Sequence, residues 1–474
     1  HHLALRYNYT KNRYWSSPNA TSMDGGTRMS GARMSQYSMS FANSMYAMDN
    51  LVHSFSLDLN SRLSENLSNQ FLATYSKLDD IRATDSSEFP FIDITKDGNN
   101  YMALGYELFT WNNAVHNTIW NVKDDITYYL GTHKITAGLN YEHQMADNQY
   151  MRNGTGYYRY NWEDGMTVDQ LFNQTPEIFC LTYGYGGESK PAARVQFNKA
   201  GVYAQDDWNI NDKLKLTYGL RIDGLFFNNG DLLTNGVLAY DAAGNVDPAN
   251  SKGIIALDYD GRRIDTGKWP SNSITLSPRF GFTYDVFGDK SLKVRGGTGL
   301  FSGRLPLVFF TNMPTNGGLV QYQAQLNQKS KVPDGYTGAY TTDAKGNKYV
   351  DMSQFAGGPR TTVAQMIDKL AGMGFPQQVT SDMGSVPSAI SAVDPDFKMP
   401  QVWKSSIAVD YQIPVSFPFT ATGEFIFNKT INGVCISDWS IPSVGGFSRF
   451  NGADNRPIYP AGFRTNTKAF VLEN

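Results

Sequence analysis

Lys213 to Asp223 reads K-L-K-L-T-Y-G-L-R-I-D. Successive side chains of a strand point to opposite faces, so Leu214, Leu216, Tyr218, Leu220 and Ile222 fall on one side, and Lys215, Thr217, Gly219, Arg221 and Asp223 on the other. Such a ribbon has two surroundings. In a soluble sandwich its apolar face meets a second sheet; in an outer-membrane barrel that face meets lipid and the polar face lines an aqueous lumen.

The same period runs along the chain. It places Leu3, Leu5, Tyr7 and Tyr9 together near the start, and it recurs at His53 to Leu63, Lys134 to Glu142, Pro278 to Val286, Ser291 to Phe301, Lys404 to Gln412 and Phe419 to Asn428. Strand-period matching gives about eleven strands. Two kinds of connection alternate between them. Short ones lie near Ser61 to Ser68, Gly131 to His133, Asn209 to Asp212, Phe287 to Lys290 and Pro414 to Pro418, each with turn-forming residues. Long ones lie near Lys11 to Phe41, Asp80 to Asn113, Asp147 to Asn198, Phe227 to Ser277 and Arg304 to Val402.

Such sorting fits an outer-membrane barrel, whose short turns face the periplasm and whose long loops face outside. A soluble sandwich gives no reason for it. Ionisable side chains at strand positions cost much against lipid and little against water. Arg221, Asp223, Arg279, Asp285, Lys293, Arg295, Asp410 and Glu424 are therefore expected to face a lumen. The fold class is all-β, a transmembrane antiparallel β-barrel.

Composition agrees. Charged residues make up 18% of the 474 and aromatics 14%, with 28 Tyr and 28 Phe, which suits aromatic girdles at two interfaces. The mean hydropathy is -0.40, and no apolar run approaches the roughly 18 residues of a spanning helix. A net charge of -3 argues against nucleic acid as a partner. Cys180 and Cys435 lie in stretches read as loops, where a disulfide between them is open.

Signatures of catalysis are missing. There is no H-E-x-x-H, G-x-S-x-G or G-x-x-x-x-G-K-[ST]. Gly296 to Gly299 sits inside a strand with no helix after it, so a nucleotide role is rejected in favour of close strand approach. Adjacent Asp206 and Asp207 point to opposite faces and cannot share a substrate. No enzyme, metal or cofactor is expected. Thr361 to Gly372 reads as a short amphipathic helix within the longest connection. Phe301, Phe309, Phe310, Tyr322, Tyr336, Tyr340 and Tyr349 could stack on sugars or peptides, with packing inside loops an equal alternative.

Gly201-Val202-Tyr203-Ala204-Gln205-Asp206-Asp207-Trp208, followed by Leu216 to Asp223, resembles the Y-x-Q-D-x-W…L-x-x-G-x-R-x-D hairpin of TonB-dependent outer-membrane receptors. Ser277 to Phe282 with Val294 to Arg304 resembles that family's next hairpin. Asp396 to Trp403 extends the match toward the branch with a carboxypeptidase-regulatory-like domain, common in Bacteroidota. The resemblance covers roughly residues 200 to 430 and implies a 22-stranded barrel occluded by an N-terminal plug. It also implies import of a nutrient ligand across the Gram-negative outer membrane when the TonB complex pulls on the plug.

No plug-like segment, TonB box or terminal aromatic strand signal is found, and about eleven strands are half of that barrel. Residues 1–474 are therefore expected to be part of one barrel domain, with the plug and the other strands outside this chain. Expected partners are outer-membrane lipid, the TonB complex acting through that plug, and a surface lipoprotein or other outer-membrane subunits. Two alternatives stand beside import: a barrel that only scaffolds or docks an outer-membrane complex, and a soluble β-rich adhesin or glycan-binding protein.

Overall fold

The structure, a computed structural model, describes residues 1–19, 21–24, 27–29, 36–228, 232, 254–257, 262–378, 389–439, 448–458 and 468–474. Parts of the long connections, 233–250 among them, lie outside the described residues. Eleven strands form one antiparallel sheet: β1 His2–Ser16, β2 Tyr46–Arg62, β3 Leu67–Ala83, β4 Asn113–Leu130, β5 His133–Tyr150, β6 Ala193–Asn209, β7 Leu214–Phe227, β8 Ser273–Asp285, β9 Leu292–Ser302, β10 Gln401–Ile413 and β11 Phe419–Asn432. Each strand pairs with its neighbours in sequence. All five short turns join adjacent strands at one end of the sheet, and all five long connections leave from the other.

The register aligns the two faces across the strands. One row runs Leu5, Leu57, Ala73, Val122 and Tyr141, and another runs Leu139, Val202, Ile222 and Leu276. The large side chains in them are uncovered: Leu5 is 70% exposed, Val202 56% and Leu276 53%. An apolar band across eleven strands is far larger than the few hundred Å² that soluble monomers expose. Among the described residues no second layer lies against it, so its solvent is lipid.

Aromatic residues edge the band. Tyr128, Trp208, Tyr218, Tyr284 and Tyr411 lie toward the short turns, and Tyr7, Phe55, Tyr75, Trp120, Trp403 and Phe427 toward the long connections. Trp120 and Tyr128 on β4 are about 26 Å apart along the strand at a rise of roughly 3.3 Å per residue. At a tilt of roughly 40° that spans about 20 Å of height, on the scale of an apolar belt about 25 Å tall once the girdle rings themselves are included. Beyond the far girdle the same side turns charged, with Arg13 on Asp49 at 2.5 Å, His116 on Asp79 at 2.7 Å and Arg194 on Asp147 at 2.6 Å. Asp124 is an ionisable residue inside the belt, between Phe71 and Leu139, and it accepts a 2.7 Å hydrogen bond from Asn69.

The long connections are not simple loops. Four of them contribute to a six-stranded sheet ordered Gln321–Asn327, Ile178–Gly184, Tyr157–Asn161, Phe91–Lys96, Asn99–Leu104 and Met39–Ser40. Ile92, Tyr158, Tyr160, Phe179 and Leu181 of this cap sheet are buried against Phe355, Met366, Leu370 and Phe375. The expected amphipathic helix is α3, Val363–Gly372, one of three α-helices among the described residues with α1 Val168–Asn173 and α2 Val308–Thr315. Thr362 caps α3, its hydroxyl accepting from the Gln365 amide while the Gln365 side chain accepts from the Thr362 amide. The two contacts satisfy N–H groups that the first helical turn leaves unpaired.

Cys180 corrects the loop reading. It lies in the strand Ile178–Gly184, fully buried, and Cys435 lies exposed in the strand Cys435–Asp438; both are free thiols. Burial pushes the Cys180 thiol up to about 12, and thiolate is the reacting form. A maleimide at pH 8 is therefore expected to label one thiol in the folded protein and two in denaturant, counted by mass spectrometry. Two labels without denaturant would contradict the buried placement.

Candidate functional site

The other face of the sheet is polar from strand to strand. One row crosses it as Gln70, Asp125, Gly138, Tyr203, Arg221 and Ser277. All eight ionisable candidates from the sequence lie on this face. They form separate groups.

Arg221 grips Asp223 through two hydrogen bonds, 2.8 Å from Nε and 2.6 Å from an Nη, and also donates to Asn140 at 2.8 Å. The pair is two positions apart on β7, so both side chains leave the same face. Farther along, Arg295 reaches Asp410 at 3.0 Å and Glu424 at 3.5 Å, tying β9 to β10 and β11. Asp285 has another task, accepting the Gly288 and Lys290 amides at 2.9 Å each to close the β8–β9 turn. Lys293 sits opposite Asp285 and Asp410. Arg279 lies 4.7 Å over the Phe301 ring. It has no ion pair among the described residues.

Glycines shape this face. Tyr203 lies across Gly138 and donates to Asp125, and Arg221 lies across Gly201; a Cβ at Gly138 would run into the Asp125 carboxylate and stand 2.6 Å from both the Tyr203 ring and its hydroxyl. Gly138→Ala is expected to cost about 1 to 3 kcal/mol through overpacking, read from the denaturation midpoint. Tyr203→Phe combined with Gly138→Ala should not relieve the loss, because the Asp125 carboxylate and the ring carbon are still in the way.

Arg279 is flanked in register by Gly219 on β7 and Gly299 on β9. Beside it opens a recess of about 390 Å³, with Lys123, Lys199, Tyr203, Arg221, Arg279 and Ser302 among its walls. Lys123 pairs with Asp125 at 2.5 Å, and Lys199 lies 3.9 Å from Asp223.

Above the recess, toward the long connections, α2 packs on β5 and β6. Phe310 and Met313 join Phe197, Phe227, Trp269 and Phe397 in a buried apolar cluster that covers this end of the polar face. Arg304, just past β9, meets the buried carboxylate of Glu142 on β5, which also accepts from Gln144 at 2.7 Å. That contact fastens the start of the longest connection to the wall.

Sequence reading singled out Arg221, Asp223 and Arg279 but not Lys123, Lys199, Tyr203, Glu142 or Arg304. Lys123 and Asp125 carry the same two-residue spacing as Arg221 and Asp223, and that signal was available. The aromatic candidates divide. Phe310 is fully buried, Tyr322 and Tyr336 pack on Phe375, and Tyr349 donates to Asp343 at 3.1 Å; Phe309 and Tyr340 are exposed. Asp206 and Asp207 do lie on opposite faces, Asp206 with His133 and Tyr218, Asp207 with Thr217. No group of three His, Cys, Asp or Glu side chains could hold a metal among the described residues.

A family model described as an outer membrane beta barrel domain matches residues 1–425. No curated protein matches the chain. Among solved structures it is similar to the outer membrane transporter YddB from Escherichia coli, at 12% identity and a TM-score of 0.49, over 100% of this chain and 40% of that one. It is also similar to the FrpB iron transporter from Neisseria meningitidis (F5-1 variant), at 10% identity and a TM-score of 0.41, over 91% and 43%. The copper transporter OprC matches at 11% identity and a TM-score of 0.37, over 91% and 42%. The chain thus spans about two fifths of the length of these structures.

Proposed function

We propose, because the chain belongs to the outer membrane beta barrel domain family, that it is the wall of a TonB-dependent transporter importing a nutrient ligand across the outer membrane. The observation that carries this reading is the pairing of an uncovered apolar belt with a continuous, recessed polar face. Sealed in lipid on one side, such a wall bounds water on the other. On this reading the eight ionisable residues face the lumen, where the ion pairs of Arg221 with Asp223 and of Arg295 with Asp410 and Glu424 hold the wall in one shape without contact to lipid. The cap sheet and α2 cover the extracellular mouth and meet the ligand first.

Among the described residues β1 and β11 each have one neighbour in the sheet. Unpaired edge groups cannot stand in hydrocarbon. Further strands of the same protein are proposed to complete the barrel, and a plug is proposed to occupy it and couple it to the TonB complex. The motif resemblance supports membership of the branch with a carboxypeptidase-regulatory-like domain.

Deleting the gene is expected to abolish growth on one limiting nutrient from a panel, and restored growth on complementation should require a working TonB system. If every nutrient is still taken up while an outer-membrane complex loses subunits on purification, the protein is a docking scaffold and import is wrong.

A further inference from the structure

We infer that the recess around Arg279 is an oxyanion site that takes a carboxylate. Its charges do not balance. Lys123, Lys199, Arg221 and Arg279 bring four cationic groups to the recess, and Asp125 and Asp223 bring two anionic ones. The deficit centres on Arg279, whose guanidinium is held on the Phe301 ring and has no anionic partner among the described residues.

A planar guanidinium presents paired N–H donors that match a carboxylate in a fork. The open volume beside it, about 390 Å³, is ample for a carboxylate. The Ser277 and Ser302 hydroxyls, 3.3 Å apart, stand on the same wall and can donate. Lys199 reaches the recess from β6, bound to Asp223 only at 3.9 Å. Ion pairs already fix Arg221 and Lys123, so little ordering is left for binding to supply.

The carboxylate has two sources of the same chemistry: a free anionic solute, or an acidic side chain elsewhere in the full-length protein. As an import site the recess rests on the conduit reading above; as an anion site it rests on these residues alone.

Citrate is the probe, titrated calorimetrically into the full-length protein in detergent at low salt. The free-solute arm expects binding that weakens with added chloride and falls at least tenfold in Arg279→Gln. Arg279→Lys should lose less, and Lys134→Gln, elsewhere on the polar face, should bind as the wild type does. In the protein-carboxylate arm citrate does not bind, but Arg279→Gln lowers the thermal midpoint and Arg279→Lys restores part of it. Citrate binding indifferent to Arg279→Gln would overturn the site, as would no binding together with an unmoved midpoint. Neither result touches the growth phenotype of the deletion, so failure here is separable from failure of the import reading.

Discussion

Ile407→Arg is expected to destabilise the assembled protein by about 2 to 4 kcal/mol, the cost of a cation on the lipid face near the bilayer midplane. Its neighbour Ser406→Arg is expected to change stability by less than about 0.5 kcal/mol. The two positions are adjacent in sequence and opposite in surroundings. Ile407 lies four residues from Trp403 and four from Tyr411, midway between the girdles, and it is 49% exposed beside Gly296 and Phe425. Its new guanidinium could not reach either interface without bending out of the belt.

Ser406 faces Gly297, which leaves room, and the carboxylates of Asp410 and Glu424 are on the same side. Reversible denaturant unfolding of the full-length protein in lipid vesicles measures both. At 1.4 kcal/mol per factor of ten the first change is roughly thirty- to several-hundredfold in the folding equilibrium. A larger loss from Ser406→Arg would mean that the faces are reversed, and the conduit reading would go with them.

Sequence alone revealed this wall because period two survives only where a strand keeps different solvents on its two sides. Lys213 to Asp223 meets that condition, and so do the strands around Phe55, Ile135, Phe280 and Ile407. The ends of the strands were underestimated. Beyond the girdle the lipid-side face of β4 and β5 turns polar, as at His116 and Asp147, while the other face carries Ala146 in the apolar cluster, so the alternation that marks a strand fades there.

The cap sheet was illegible for the opposite reason. Phe91–Lys96 and Ile178–Gly184 are buried on both faces, so F-I-D-I-T-K and I-F-C-L-T-Y-G show no alternation, and their pairing partners lie in other connections far along the chain. The Arg221–Asp223 grip was within reach, being two residues apart on one strand. Nothing local links Glu142 to Arg304, which meet only because the longest connection starts beside β5 in space.

Glu107→Ala is expected to cost about 3 to 5 kcal/mol, because it leaves Arg82 charged and largely enclosed with no counter-ion. The Glu107 side chain is fully buried and that of Arg82 is 14% exposed, with an Nη 2.9 Å from a carboxylate oxygen. Arg82, at the end of β3, lies 3.4 Å over the Tyr46 ring, so it cannot swing out to water without abandoning that contact. The second Glu107 oxygen accepts the Phe109 amide at 3.0 Å and the Thr110 hydroxyl at 2.6 Å. One carboxylate therefore joins a barrel strand to the turn that leads from the cap sheet back to β4.

Hydrogen exchange should show the loss as faster opening at 84–112 and along the cap sheet, with the belt strands unchanged. Glu107→Gln keeps an acceptor for those bonds and should fall between alanine and the wild type. Replacing both partners, Arg82→Met with Glu107→Leu, removes the stranded charge and should recover most of the stability. Should the double variant be as unstable as Glu107→Ala alone, the loss comes from packing around Tyr46 and not from desolvated charge.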